Sequence, residues 1–225
     1  MRIILKPALV TLALMASPMS VAMADDGAFT ANIALTSDYV WRGVSQTGED
    51  PAIQAGLDYA NSSFYAGAWA SNVDFGSGSD ASVEVDLYAG FSDEFTNGVS
   101  WDVGVISYNF PGTDGEDLGV VEIYGGLGYE FAGGLETGAT IAFDPDNESV
   151  YAEGTAGYAF SEKFALSGSV GQFSFDGGGD YTNVSLGGTY TAGGVDFDLR
   201  YWDTDVDNNP STEGRVVLTI SKEFG

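Results

Sequence analysis

The chain has 225 residues, of which 33 are acidic and seven are basic, so its formal net charge at pH 7 is −26. This charge and the lack of any basic patch exclude a nucleic-acid-binding protein. The sequence has no cysteine and no histidine, which excludes a disulfide framework and removes the usual general base of barrel enzymes. Aromatic residues make up 13% of the chain, more than a disordered acidic chain carries, so we expect one folded domain.

The N-terminus has the pattern of a secretory signal peptide. Arg2 and Lys6 accompany an apolar run over residues 8–16, and Ala22-Met23-Ala24 places small residues at the positions that a signal peptidase recognises. The apolar run is too short for a membrane-spanning helix, and acidic residues follow it. We therefore predict a cleaved signal peptide over residues 1–24 and an exported domain over residues 25–225.

Beyond residue 24 the chain is a series of short runs in which apolar and polar residues alternate, separated by turn-forming clusters. Such alternation with period two indicates strands that have two different faces. No later stretch is apolar for long enough to form a membrane-spanning helix. The predicted strands are residues 29–42, 52–60, 64–72, 82–91, 99–109, 119–131, 135–143, 150–160, 163–174, 182–190, 195–203 and 214–224.

One face of these strands is apolar and the other is charged. Residues 82–91, for example, place Val83 and Leu87 on one side and Glu84 and Asp86 on the other. A soluble barrel of this size would enclose a lumen too wide to fill with small side chains, so the apolar face should point outward to lipid. The sequence therefore predicts an all-β, antiparallel up-and-down transmembrane barrel of about twelve strands.

Aromatic clusters near the predicted strand ends support the membrane assignment, because such barrels carry aromatic belts at both interfaces. The strand over residues 64–72 leaves the outward parity open, since either Phe64 or Tyr65 could begin its outer face. The predicted clusters on the outer face are Tyr39/Trp41, Tyr129/Phe131, Tyr158/Phe160/Phe164 and Tyr190.

The charged parity is predicted to line the pore. Its three arginines could each pair with several carboxylates and narrow the pore, or form ordinary ion pairs within the wall. The predicted pore-lining residues are Asp38, Arg42, Asp58, Glu84, Asp86, Asp102, Glu122, Glu136, Glu153, Asp196, Asp198, Arg200 and Arg215.

The links between predicted strands alternate between longer acidic segments and tight turns. Residues 204–213 form a long link, whereas residues 132–134 form a tight one. This alternation is typical of barrels with long outer loops, short periplasmic turns and both termini in the periplasm. Asp203, Asp205 and Asp207 resemble part of a calcium loop, but the glycine and the bidentate acid that complete such a loop are misplaced, which favours a solvated acidic loop.

One segment carries a family resemblance. Tyr39-Val40-Trp41-Arg42-Gly43-Val44-Ser45-Gln46-Thr47, with the following residues 51–59, resembles the TorF family of proteobacterial porin-type proteins, a family of unknown function. Residues 64–75 and the terminal Ser221-Lys222-Glu223-Phe224 are also similar, although only the stretch that begins at Trp41 is specific. The resemblance implies a barrel and a pore, and it implies no substrate.

These features predict a passive outer-membrane channel of a Gram-negative bacterium and not an enzyme. Glu84 and Asp86 could act as an acid–base pair, but hydrated lumen carboxylates are the favoured interpretation. An acidic lumen lowers the free energy of a cation in the pore, so we expect small polar solutes to pass and cations to be preferred. The alternative is a narrow, non-conducting barrel that strengthens the membrane or binds a partner. The expected partners are outer-membrane lipid, these solutes and the assembly machinery, with no cofactor and no nucleic acid.

Overall fold

The computed structural model describes residues 27–113 and 118–225, and within them the chain forms a closed antiparallel barrel of twelve strands. The predicted signal peptide lies outside the described residues. In this described part, no helix has the length and hydrophobicity needed to cross a membrane. The barrel strands are β1 (Ala28–Thr36), β4 (Ala52–Asn61), β5 (Phe64–Asn72), β6 (Val83–Glu94), β7 (Val99–Asn109), β8 (Val120–Glu130), β9 (Leu135–Asp144), β10 (Ser149–Ser161), β11 (Phe164–Ser174), β12 (Tyr181–Ala192), β13 (Val195–Thr204) and β14 (Arg215–Phe224).

Barrel closure joins the two ends of the chain. Strand β1 pairs with β4 on one side and with β14 on the other, where Ala31 lies opposite Phe224 and Thr36 opposite Thr219. Every other barrel strand pairs with its neighbours in sequence. The ladder therefore has no free edge, which is the condition under which a sheet can cross a hydrocarbon layer.

The two faces of the wall differ as the alternation predicts. Apolar side chains cover the outer surface, where Phe29 is 66% exposed and Leu186 is 65% exposed. The open question in β5 is also resolved: Phe64 points outward at 37% exposure, whereas Tyr65 points into the barrel at 1%. Because so large an exposed apolar surface is unfavourable in water, the outer wall requires an apolar environment.

The links give the barrel two different ends. We call the end with the tight connections, such as residues 193–194, the turn end, and the end with the longer links the loop end. Outward-facing aromatic rings surround the turn end, and neighbouring rings contact one another. These contacts include the pairs Phe29–Tyr59, Phe64–Phe91, Tyr129–Phe131 and Tyr158–Phe160.

The first predicted strand is wrong beyond Thr36. Instead of continuing along the wall to residue 42, the chain leaves the barrel sheet and enters the lumen, where two short strands, β2 (Val40–Trp41) and β3 (Val44–Ser45), pair with each other. Tyr39 and Trp41 therefore lie inside the barrel and not in the outer aromatic belt. The segment can leave the wall because β2 and β3 satisfy one another's backbone groups.

Candidate functional site

The hairpin formed by residues 40–45, here called the lumen hairpin, turns at Arg42 and Gly43. Both have positive φ, 49° and 85°, as the two central residues of a type I′ hairpin turn require. A Cβ at position 43 would lie 2.7 Å from Cγ2 of Thr204 and 2.8 Å from Cβ of Asn183. Glycine is therefore required there for the turn and also for the close approach to β12 and β13.

The base of the lumen hairpin is held by the carboxylate of Asp38. Its Oδ1 accepts hydrogen bonds from Oγ of Ser45 at 2.7 Å and from Oγ1 of Thr47 at 3.0 Å. Its Oδ2 accepts one from Nη1 of Arg215 on β14 at 2.9 Å. One carboxylate therefore closes the hairpin and also ties it to the barrel wall.

The tip of the lumen hairpin is held by Arg42, which reaches across the lumen to β8. Its Nη1 and Nη2 atoms donate to the two carboxylate oxygens of Glu122, each at 2.7 Å. The guanidinium carbon also lies 4.2 Å from the centre of the Trp41 ring and 4.1 Å from that of Tyr151. Burial lowers the pKa of Arg42, but the hydrogen bonds and charge of Glu122 outweigh this, so its pKa lies above the ordinary value and the group stays charged.

Tyr39 fixes the lumen hairpin to the β5–β6 side of the barrel. Its ring packs edge-on against Trp69 at 5.2 Å between centroids, and its hydroxyl donates to Oε1 of Glu84 at 3.2 Å. Trp41 contacts the rings of Tyr108 and Phe173 in the same edge-on manner. Tyr39 and the lumen hairpin therefore occupy part of the loop end of the lumen and contact strands from β5 to β11.

Beside the lumen hairpin, and between it and the turn end, tyrosine hydroxyls donate to the carboxylates of the inner wall. The hydroxyl of Tyr65 is 2.9 Å from Oδ1 of Asp102 and 2.5 Å from the hydroxyl of Tyr124. The Tyr65 ring can pack flat against the neighbouring strand because residue 90 is glycine. A Cβ atom at position 90 would lie 2.3 Å from the Tyr65 hydroxyl. Other such pairs are Tyr88–Asp58, Tyr108–Glu122 and Tyr151–Glu153.

All three arginines in the predicted set form ion pairs inside the barrel. Arg42 pairs with Glu122, Arg215 pairs with Asp38, and Arg200 pairs with Asp198 at 3.0 Å while also donating to Oγ of Ser167. Arg42 occupies the tip of the lumen hairpin and not the predicted strand position. Arg42 and Arg200 therefore each pair with one carboxylate, whereas Arg215 also lies 3.7 Å from Oε1 of Glu49.

The remaining predicted carboxylates have no such partner. Within the described residues, none of them has a lysine or arginine within ion-pair distance. Glu84, Asp86 and Asp102 are buried, whereas the other four are partly exposed to the lumen. The seven are Asp58, Glu84, Asp86, Asp102, Glu136, Glu153 and Asp196.

The prediction from sequence missed two features of this site. The lumen tyrosines share the parity of the carboxylates, as Tyr88 does with Asp86, so period two could have placed them on the inner wall. Gln54, at 1% exposure, was also missed, and neither polar atom of its side chain has a hydrogen-bond partner in the described part of the chain. No local sequence pattern indicates that the buried side chain of Gln54 lacks a hydrogen-bond partner.

The acidic residues at the end of β13 and in the link that follows it do not converge on one site. Asp203 accepts the hydroxyl of Tyr201 at 2.7 Å, and Oδ1 of Asp205 accepts the backbone N–H of Thr182 at 2.7 Å. In residues 27–113 and 118–225, no group of three or more acidic side chains is arranged to hold a metal ion. Asp203 and Asp205 therefore bind neighbouring protein groups.

The closed barrel with an acidic inner wall has the architecture of porins. It is similar to the KdgM porin, with a TM-score of 0.63 and 8% identity over 87% of this chain and 99% of that one. It is also similar to the NanC porin, with a TM-score of 0.57 and 10% identity over 86% of this chain and 98% of that one. The COG4313 outer membrane channel of Pseudomonas putida F1 has a TM-score of 0.57 and 11% identity over 92% of this chain and 99% of that one. The KdgM porin has also been solved in complex with disordered oligogalacturonate. At these identities the likeness establishes the fold.

The chain belongs to the Gcw_chp family, which is described as bacterial proteins of unknown function and whose model matches residues 22–224. No curated protein sequence matches the chain. The narrower resemblance of residues 39–47 to the TorF family stays a prediction.

Proposed function

We propose that this protein is an outer-membrane channel for small polar solutes that prefers cations and is narrowed by the lumen hairpin. Its apolar outer wall faces lipid, its turn end and both termini lie in the periplasm, and its loop end faces outward. Its role is diffusion and not catalysis. The fold shared with solved porins supports this proposal.

The observation that carries the proposal is the charge imbalance of the inner wall. Three arginines pair with three of the predicted pore-lining carboxylates, and the other seven have no basic partner in the described residues. Four of these seven are partly exposed to the lumen. In a narrow pore with walls of low dielectric constant, unpaired carboxylates attract cations and repel anions. An anion such as oligogalacturonate would be disfavoured, so we propose small cationic and uncharged polar solutes.

The lumen hairpin favours a second candidate function, a barrel that does not conduct. Bulky side chains such as Tyr39 and Trp41 fold into the lumen, as a structural or partner-binding barrel would require. Single-channel recording of the purified protein separates the two functions. Absence of conductance would support the non-conducting barrel.

Cation preference is tested by the reversal potential across a potassium chloride gradient. The variant D58N/E136Q/E153Q removes three partly exposed lumen charges while keeping side-chain size, and we expect it to shift the reversal potential toward zero. The control D74N/D146N/D207N changes three exposed acids of the longer links and should have a smaller effect. The difference between the two variants should shrink at high salt because the screening length is shorter there. Anion selectivity of the wild type would contradict the proposal.

A second variant, E84Q/D86N/D102N, tests the three buried carboxylates of the same wall. They are buried and have no basic partner within the described residues. Burial disfavours the charged form of a carboxyl group, so their replacement should reduce cation preference less than D58N/E136Q/E153Q does. Glu122 is unsuitable for this test because its replacement would release Arg42 as well.

A further inference from the structure

A cavity lies between the lumen hairpin and part of the barrel wall. It is bounded by Tyr39 and Val40 on the hairpin side and by β13, β14, β1 and β4 on the barrel side. On the opposite side of the loop end, Tyr39 packs against β5 and Trp41 packs against β7 and β11.

The charged groups around this cavity are already paired. Asp38 accepts from Arg215, Ser45 and Thr47. Arg200 donates through Nε and Nη2 to the two carboxylate oxygens of Asp198. The cavity therefore presents balanced charge, in contrast to inner-wall carboxylates such as Glu84, Asp86 and Asp102, which have no basic partner in the described residues.

Gln54 on β4 is the exception among the polar side chains of the cavity. It is 1% exposed, and both its Nε2 and its Oε1 lack a partner within the described residues. Its neighbours across the sheet are Ala34, which has no polar side chain, and Ser71, whose hydroxyl donates to the backbone of Asn72. A buried carboxamide without partners is costly, and it presents one donor and one acceptor side by side.

We propose that solutes pass the lumen hairpin along this cavity, and that Gln54 is a specificity-determining residue there that hydrogen-bonds small uncharged solutes. The matching ligand carries a donor and an acceptor close together, on one carbon as in an amide or on adjacent carbons as in a vicinal diol. The balanced charge around the cavity supports an uncharged ligand, since Arg200 and Asp38 have no free charge to offer. This inference rests on the proposed channel function and names a second class of solute for it.

The test is solute uptake by proteoliposomes, followed by light scattering in gradients of urea and of glycerol. Q54M keeps the side-chain length and removes both polar atoms, and Q54L serves as a second variant. Because Gln54 has no protein partner in the described part, neither change breaks a hydrogen bond with it. We expect a threefold to tenfold loss of uptake, roughly what one hydrogen bond contributes. T155V, on the opposite wall in β10, should leave uptake unchanged.

The outcomes separate this inference from the proposed function. If only urea uptake is lost, the ligands of Gln54 are amides, and if only glycerol uptake is lost, they are diols. Loss of both shows that Gln54 binds any neighbouring donor and acceptor pair. Wild-type uptake in Q54M and Q54L, in a channel that still conducts potassium, would overturn the role of Gln54 and leave the channel intact. A wild-type protein that conducts no ions and admits neither solute would overturn both.

Discussion

Replacement of Arg42 by methionine should release the lumen hairpin from the wall. The Arg42 and Glu122 side chains are 9% and 3% exposed, and their two hydrogen bonds are both 2.7 Å long. R42M removes one charge of this pair and leaves the Glu122 carboxylate buried without its partner. The ring contacts of the guanidinium with Trp41 and Tyr151 are lost as well.

The expected cost follows from the burial of the pair. Removing one partner of a buried ion pair destabilises a protein by about 3–5 kcal/mol, and each close ring contact adds about 0.5–2 kcal/mol. A loss of about 4 kcal/mol would lower the docking equilibrium of the hairpin roughly a thousandfold. The anchor at Asp38 remains, so we expect a mobile hairpin in an intact barrel.

Single-channel conductance and limited proteolysis measure this release. We expect R42M to conduct more than the wild type and to be cleaved more rapidly within residues 37–51. The double variant R42M/E122Q removes the unpaired carboxylate and should recover part of the lost stability, because the two positions are coupled. K163M removes a positive charge from an exposed tight turn and serves as the control.

Two results would refute this reasoning. The first is an R42M channel with wild-type conductance and protease resistance. The second is a double variant that is no more stable than R42M, since the cost would then not arise from the buried Glu122 charge.

Three further predictions follow from the closed barrel and the hairpin turn. G43V should destabilise the lumen hairpin, because its side chain would meet Thr204 and Asn183 at 2.7 and 2.8 Å and its φ of 85° is strained for valine; faster proteolysis than in the wild type would show it, and wild-type resistance would contradict it. Deletion of residues 216–225 should prevent assembly, because β14 closes the barrel against β1; recovery of assembled protein from membranes would count against this. The folded protein should migrate differently from the boiled protein on a detergent gel, and a mainly helical circular dichroism spectrum would be incompatible with the fold.

The wall of the barrel was largely determined by the sequence. Period two depends only on residue type and spacing, so it predicts strand position and face without knowledge of the partner strands. The predicted strands over 64–72 and 99–109 have the bounds that the structure gives to β5 and β7. The outward apolar face and the inward charged face of β6 also follow from this alternation.

The contents of the lumen were decided by the tertiary structure. Alternation continues through Tyr39 and Trp41, so period two alone cannot distinguish a strand that stays in the wall from one that leaves it. The positive φ values at Arg42 and Gly43 make the turn, and barrel closure brings Glu122 to the tip of the hairpin from 80 residues away. Such a contact depends on the number of strands and their register, which are properties of the whole barrel and not of any local segment.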